Sequence, residues 1–453
     1  MKSNNYQSGK SRRNFIKNSA VTVAAFTIVP RYVMGGSGFI APSDKLNIAC
    51  IGVGGKGRVD LDGVSSENII ALCDVDQQRA SEDGVKLKNA YVSFPQARRY
   101  LDFREMLDKE NDLDAVTIST PDHTHAVITM EAMKKGKHVF TQKPLTHTID
   151  ESRKVVDFAK KAGLATQMGN QAHAKEGPRI VNELIWQGAI GTVKEVHCWT
   201  DRPIWPQGLE NRPAGSPPVP STLNWELWLG PSPYRPYNPA YVPFNWRGWW
   251  DFGTGALGDM GCHILDYPFW ALKLGSPTSV EAYSTPVYKE TAPLASIVNY
   301  KFKSGLDGNV IDLTWYDGGL KPTLPEGLQN TGLWGNIGVV MFKGDEGILV
   351  YGHHRPKPIL LVKGKEIDYG EPKQMIPRSP GHYIEWTNEI RGSMERAMSN
   401  FDYAGPLNEA VLLGNIAIRT GKKLIWDSEN MNFSNMPEAN QYLKNDYRNG
   451  WSL

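Results

Sequence analysis

The stretch from Leu46 to Asp74 constrains this chain more than any other. Its first apolar run, Leu46 to Val53, reads as a strand buried on both faces. That run enters Gly52-Val-Gly54-Gly-Lys-Gly57, a G-x-G-x-x-G turn, and a second apolar run, Ile69 to Cys73, ends in Asp74. Strand, glycine turn, strand and acid in this order form a dinucleotide-binding fingerprint. Gly52 permits the tight turn. Gly54 and Gly55 let backbone N–H groups reach a pyrophosphate, and Gly57 lets the next helix pack against its strand. The N-terminus of that helix offers free N–H groups and positive partial charge to phosphates. Asp74 is expected to accept from the ribose hydroxyls. Its charge repels a 2′-phosphate, so NAD is expected rather than NADP.

A chain of 453 residues has room for two domains, three at most. Fifty basic residues stand against forty-eight acidic ones, a net charge of +2, and this gives no electrostatic case for nucleic acid. Cys50, Cys73, Cys198 and Cys262 show no C-x-x-C spacing, so neither a disulfide framework nor a zinc site is expected. The histidines at 123, 125, 353 and 354 lack a matching carboxylate set, and no metal is predicted.

Near the N-terminus stands Ser11-Arg12-Arg13-Asn14-Phe15-Ile16-Lys17, followed by an uncharged run from Ser19 to Pro30. This resembles a twin-arginine export signal, which makes the protein periplasmic. An uncleaved signal would leave it anchored to the membrane.

From Lys45 to about Asn170, strand and helix patterns alternate as a doubly wound parallel sheet requires. A polar helical stretch is expected from Asp74 to about Asn89, and a short amphipathic helix from Phe103. Ala115 to Ser119 reads as a strand, and the helix after it runs through Lys135 with Thr124 as its N-cap. His138 to Thr141 is the next strand. A helix from Ile149 to Lys161 closes at Gly163, and Leu164 to Met168 is the sixth strand. Ligands of such sheets sit beyond the carboxyl ends of the strands. Thr120 to His125, Gln142 to Pro144 and Asn170 to His173 therefore converge there with the glycine turn.

The second half differs. Residues 199–252 hold seven of the fourteen tryptophans among many prolines, which reads as a long ordered insertion. Most of these rings should pack against one another, while Trp246 and Trp249 are expected to touch a ligand. Asp259, His263 and Asp266 follow at i, i+4 and i+7, on one face of a predicted helix. Strand-like stretches recur from Ser279 to about Val362 and read as a mostly antiparallel sheet; a last helix covers about Leu407 to Thr420.

The glycine turn, Thr120-Pro121 with His125, Gln142-Lys143-Pro144 and Asp259-x-x-x-His263 together resemble the Gfo/Idh/MocA oxidoreductases. The resemblance spans roughly residues 45–427. It implies an α/β protein with a Rossmann NAD-binding domain at 44–170 and a C-terminal α/β substrate domain at 171–453, after a signal and linker at 1–43. It implies a carbohydrate substrate and self-association through the C-terminal sheet. The family's E-K-P lysine maps to Lys143, and its D-x-x-x-H pair, which handles the hydroxyl proton, maps to Asp259 and His263. Thr120, Pro121, His125 and Gln142 fall on cofactor-binding positions, and Asn170, Gln171 and His173 on substrate-binding ones. A departure stands at Gln142. A glutamate there would hold the lysine charged, and a glutamine does not.

The expected chemistry is oxidation of a secondary alcohol. NAD takes the hydride. His263, backed by Asp259, takes the hydroxyl proton, and Lys143 stabilises the developing oxyanion. Export adds a condition: the cofactor must be loaded before export, held tightly and regenerated in place. Ping-pong exchange, in which a second substrate takes the hydride back, meets it. So does redox-neutral glycoside cleavage, by transient oxidation, elimination, water addition and re-reduction.

Overall fold

A computed structural model describes residues 44–83, 88–326, 328 and 337–453. The twin-arginine segment at 11–30 lies outside them. Six strands form the first sheet: β1 (Asn47–Ile51), β2 (Asn68–Cys73), β3 (Arg98–Tyr100), β4 (Ala115–Ile118), β5 (His138–Thr141) and β6 (Thr166–Met168). Their order is β3-β2-β1-β4-β5-β6, and every pairing is parallel. The order reverses between β1 and β4, which opens the crevice where such sheets bind ligands. Helices Lys56–Gly63, Phe103–Lys109, Asp122–Lys134 and Ile149–Ala162 make the crossovers.

Local sequence explains most boundaries. Thr148 and Glu151 form a reciprocal capping box at the start of helix Ile149–Ala162, and Gly163 ends it in the left-handed region with φ 63°. Two expectations need correction. Between Asp74 and Asn89 the described residues form one short helix, Gln77–Ala80, capped by Asp76, rather than a continuous one. The helix assigned to Thr124 as N-cap begins at Asp122, directly after Pro121. Thr124 lies inside its first turn and turns its hydroxyl back to Thr120 Oγ1 at 2.8 Å and Pro121 O at 2.9 Å. Proline fixes φ where the helix starts, and carbonyls take the first N–H groups: Thr124 N donates to Pro121 O at 3.0 Å and His123 N to Phe252 O at 3.3 Å.

The second sheet has ten strands. They are β7 (Val193–Trp199), β8 (Ser279–Ser284), β9 (Ser296–Lys303), β10 (Val310–Tyr316), β11 (Val339–Gly344), β12 (Ile348–Gly352), β13 (Ile359–Val362), β14 (Lys365–Glu366), β15 (Leu424–Asp427) and β16 (Asn432–Phe433). The order is β14-β13-β12-β11-β7-β10-β9-β8-β15-β16, antiparallel except for β7 with β10. Helix Phe401–Thr420 joins the two sheets. Its Glu409 accepts from Arg153 on helix Ile149–Ala162, from Ser276 and from Trp426 Nε1. One apolar core accordingly runs through both halves, from Val116 and Val139 to Val196, Leu313 and Leu413. All four cysteines are buried and unbridged.

The aromatic insertion is a satellite core. Trp225 stacks on Trp228 with centroids 4.7 Å apart, and Tyr241 meets Trp249 edge-on at 4.9 Å. Together with Leu223, Leu229, Trp246 and Phe252 they form one cluster. It docks on the first sheet: Asn224 N donates to Val75 O at 2.8 Å, and Gln77 N to Thr222 O at 2.9 Å. His123, buried, adds contacts to Trp228 O and Phe252 O.

Candidate active site

At the β1/β4 crevice lies a cleft of about 560 Å³. Its floor is the glycine turn. Gly52 has φ +75°, and a Cβ there would lie 2.7 Å from Ser119 O. A Cβ on Gly57 would lie 1.8 Å from Gly52 O, so this glycine is what lets helix Lys56–Gly63 meet the turn. Gly54 and Gly55 line the cleft, as does Arg79, whose side chain lies over both. No side chain caps the helix. Asp74 Oδ2 accepts from Val53 N at 2.8 Å and Oδ1 from Asp76 N at 2.9 Å. Burial pushes its carboxyl up to about 6, against those two donors. An uncapped helix end, a glycine cradle with the Arg79 guanidinium over it and an acid beside it fit a dinucleotide.

The opposite end is built from both halves. Lys143 follows β5 and carries its Nζ to Asp259 Oδ1 at 2.8 Å and Asp259 O at 2.6 Å. Asp259 lies on helix Gly255–Ile264, where Arg247 Nε reaches the same Oδ1 at 3.2 Å. Burial opposes ionisation of Asp259, but Lys143 and Arg247 outweigh it and hold the carboxyl well below its usual range. His263, one turn on, lines the cleft, and its Nδ1 has no hydrogen-bond partner. Burial, then the nearby Lys143, pushes its imidazole well below the usual value, so it is neutral. Asp259 is therefore the hydrogen-bonded counter-ion of Lys143, and it acts on His263 by its charge. It also supplies the negative charge that Gln142 does not.

Gln142 has a different partner. Its Nε2 donates to Asp60 Oδ2 at 2.9 Å. Asp60 is fully buried and also accepts from Ser119 Oγ at 2.7 Å, Tyr383 Oη at 2.6 Å and Lys56. The amide stands where a second carboxylate would face Asp60.

Thr120, Pro121 and Trp246 line the cleft as expected. Several expected residues do not. His125 is buried behind it, its ring nitrogens 2.7 Å from Pro144 O and 2.8 Å from Thr120 O, so it ties two lining loops together. Asn170 accepts from Ser399 Oγ, and Gln171 donates to Asp60 at 3.3 Å. His173 is bonded to Asp266 at 3.0 Å and stacked on Trp270 at 4.2 Å. All three follow β6, two strands beyond the switch point, and Gln171 reaches back only as far as Asp60. Asp266 begins a separate helix, Asp266–Ala271. Seven residues advance about 10.5 Å along a helix axis, which takes it past the cleft. Trp249, 1% exposed, belongs to the satellite core.

The structure adds lining residues that the sequence did not single out, Arg79, Trp205, Trp228, Arg247 and Trp451, and picks Asp122 out of the Thr120–His125 stretch. Asp122 accepts from Thr254 Oγ1 at 2.6 Å, and burial pushes its carboxyl up to about 6. Its place beside Pro121 in a strand-end loop was the available signal. Trp451 had none.

Two sequence models match the chain. The oxidoreductase family with an NAD-binding Rossmann fold covers residues 46–170. The oxidoreductase family C-terminal alpha/beta domain covers 181–313. A glycosyl hydrolase family 109 protein of Shewanella baltica is 32% identical over 205 residues, 40% of this chain and 43% of that protein. An alpha-N-acetylgalactosaminidase of Shewanella oneidensis is 32% identical over 209 residues, with the same shares. The chain thus matches less than half the length of these curated relatives. The WlbA dehydrogenase of Bordetella pertussis, solved with NADH and UDP-GlcNAcA, shares the fold at a TM-score of 0.58 and 17% identity, over 84% of this chain and 99% of that one. With both domain types matched in order over more than half its length, and the lysine and D-x-x-x-H elements meeting over an NAD-type cleft, the chain belongs to the Gfo/Idh/MocA oxidoreductase family.

Proposed function

We propose that this protein holds NAD tightly and oxidises a secondary hydroxyl of a sugar or sugar derivative. The observation that carries this reading is the meeting of Lys143, Asp259 and His263 in the cleft that also contains the glycine turn and Asp74. Bound NAD supplies the hydride acceptor. Lys143, held by Asp259, donates to the substrate oxygen as negative charge develops there. His263, neutral and lining the same cleft, receives the hydroxyl proton. Trp205 and Trp246, beside the Arg247 that bonds Asp259, offer flat apolar surfaces to a sugar ring.

The names of the relatives favour a second reading, redox-neutral glycoside cleavage at the same residues. One experiment separates the two. Purified protein is incubated with a panel of glycosides and free sugars without added NAD. Keto-sugar with reduced cofactor supports the oxidoreductase, and released aglycone supports the glycosidase. Neither product from any member would overturn both.

Asp74 makes cofactor binding pH-dependent. Ribose hydroxyls donate to its ionised form, so NAD affinity rises with pH through about 6. Lowering the pH from 7 to 5 should weaken Kd about tenfold, because the competent carboxylate falls to about a tenth. An Asp74→Asn variant should show a flat profile by calorimetry; an equally steep one would remove Asp74 from the binding step.

Export and self-association belong to the same proposal. Fractionation of an Arg12→Lys, Arg13→Lys variant tests the first, with retention expected, and the solution mass of the purified protein tests the second.

A further inference from the structure

The cleft has a roof that the glycine fingerprint does not explain. At the end bounded by Asp74, Val75, Leu101, Asp102 and Phe103, the indole of Trp451 forms part of the lining. Trp451 lies hundreds of residues from every other group there. An irregular segment, residues 444–453, brings it across.

That segment is fastened at several points. Asn445 Nδ2 donates to His147 Nδ1 at 3.1 Å, and Tyr447 Oη to Glu151 Oε1 at 2.6 Å. Arg448 N donates to Pro231 O at 3.1 Å, and Arg448 Nε to Gly230 O at 2.6 Å. The guanidinium of Arg448 also bonds the carboxylate and the carbonyl of Glu226. Glu226 lies on helix Trp225–Leu229, next to Leu227 and Trp228, which line the cleft as well. Arg448 therefore latches one roof segment to the other.

The indole is held in place. The guanidinium of Arg104 lies 4.7 Å from its centroid, and Phe103 lies 6.1 Å from it. Arg104 is itself neutralised by Asp102 at 2.7 Å, so the cation fixes the ring without adding net charge to the cleft. A fixed aromatic plane beside a ribose-binding acid suits a nucleobase, since every base has a π-face.

We propose that residues 444–453 are a strap over the adenine end of the bound dinucleotide, with Trp451 as its base contact and Arg448 as its latch. The strap rests on the reading of the cleft as an NAD site. It makes NAD a resident group, because the dinucleotide leaves only when the strap lifts. That is what a protein without a supply of free NAD requires.

The test measures cofactor exchange, not turnover. Full-length protein is loaded with NAD, gel-filtered, and mixed with excess isotopically labelled NAD. Trp451→Ala should exchange about ten- to a hundredfold faster, the loss expected for one base–aromatic stack. Arg448→Gln should also exchange faster although its side chain touches no part of the cleft lining, and Trp451→Phe should exchange nearly as slowly as the parent. The two positions act through separate contacts, so misfolding of one variant, seen by circular dichroism, leaves the other informative. Slow exchange in every folded variant overturns the strap while the NAD reading stands. Failure of the parent to bind NAD at all overturns both.

Discussion

Replacing Lys143 by Met, or His263 by Ala, should each lower kcat/KM by on the order of 10²–10⁴. The double variant should be little worse than either single one, because groups serving one transition state are grossly non-additive. The expectation follows from their placement. Lys143 ends a strand of the first sheet, His263 lies on a helix of the second half, and Asp259 bridges them by its bond to Lys143 and its place one turn before His263. Bound NAD should survive in all three variants, since neither residue supplies one of the glycine turn's N–H groups. Steady-state kinetics with cofactor content measured alongside makes the check. Near-normal turnover in either single variant would remove that residue from the proposed chemistry. Asp259→Asn should act through Lys143 and lower kcat more than it raises KM.

Gln142→Glu should destabilise the fold by about 3 kcal/mol at pH 8, the scale of an uncompensated buried charge. The new carboxylate would face Asp60, which is fully buried and already shared among Ser119, Tyr383 and Lys56. Two carboxylates in one buried site cannot both ionise, so the pair must retain a proton. Its folded pKa is then raised above the unfolded value. The folded state binds more protons than the unfolded one over that interval, so the defect grows as pH rises and shrinks toward pH 5. Asp60→Asn combined with Gln142→Glu should recover most of the loss, with the amide now on the other partner. Urea midpoints of the four proteins form a double-mutant cycle. Equal stability of Gln142→Glu and the parent at pH 8 would dismiss the pairing as the reason for glutamine here.

Wherever the chain's interactions are local, its own sequence determined the outcome. The apolar run from Leu46, the φ of Gly52 and the bulk limit at Gly57 dictate strand, turn and helix with no distant partner. The Thr148–Glu151 capping box and Gly163 likewise fix a helix from its own residues. Alternating apolar runs then require a doubly wound sheet, and its strand ends select Asp74, Thr120 and Lys143 as neighbours. Tertiary structure alone decided the ion pairs and the roof. Asp259 looked like the partner of His263 because they are i, i+4, yet its carboxylate turned to Lys143, 116 residues away. Trp246 and Trp249 are three residues apart and both belong to the satellite core, yet only Trp246 also lines the cleft. Asn170, Gln171 and His173 end a strand as Lys143 does, but that strand lies two places beyond the crevice. Trp451 shows no pattern in sequence at all, because its position depends on where a chain segment without regular structure is pinned by Tyr447 and Arg448. Periodicity and turn chemistry act over a few residues and can be read in one dimension. Which distant charge a buried carboxylate finds, and which ring closes a cleft, depends on the packing of elements whose separation in sequence carries no energy.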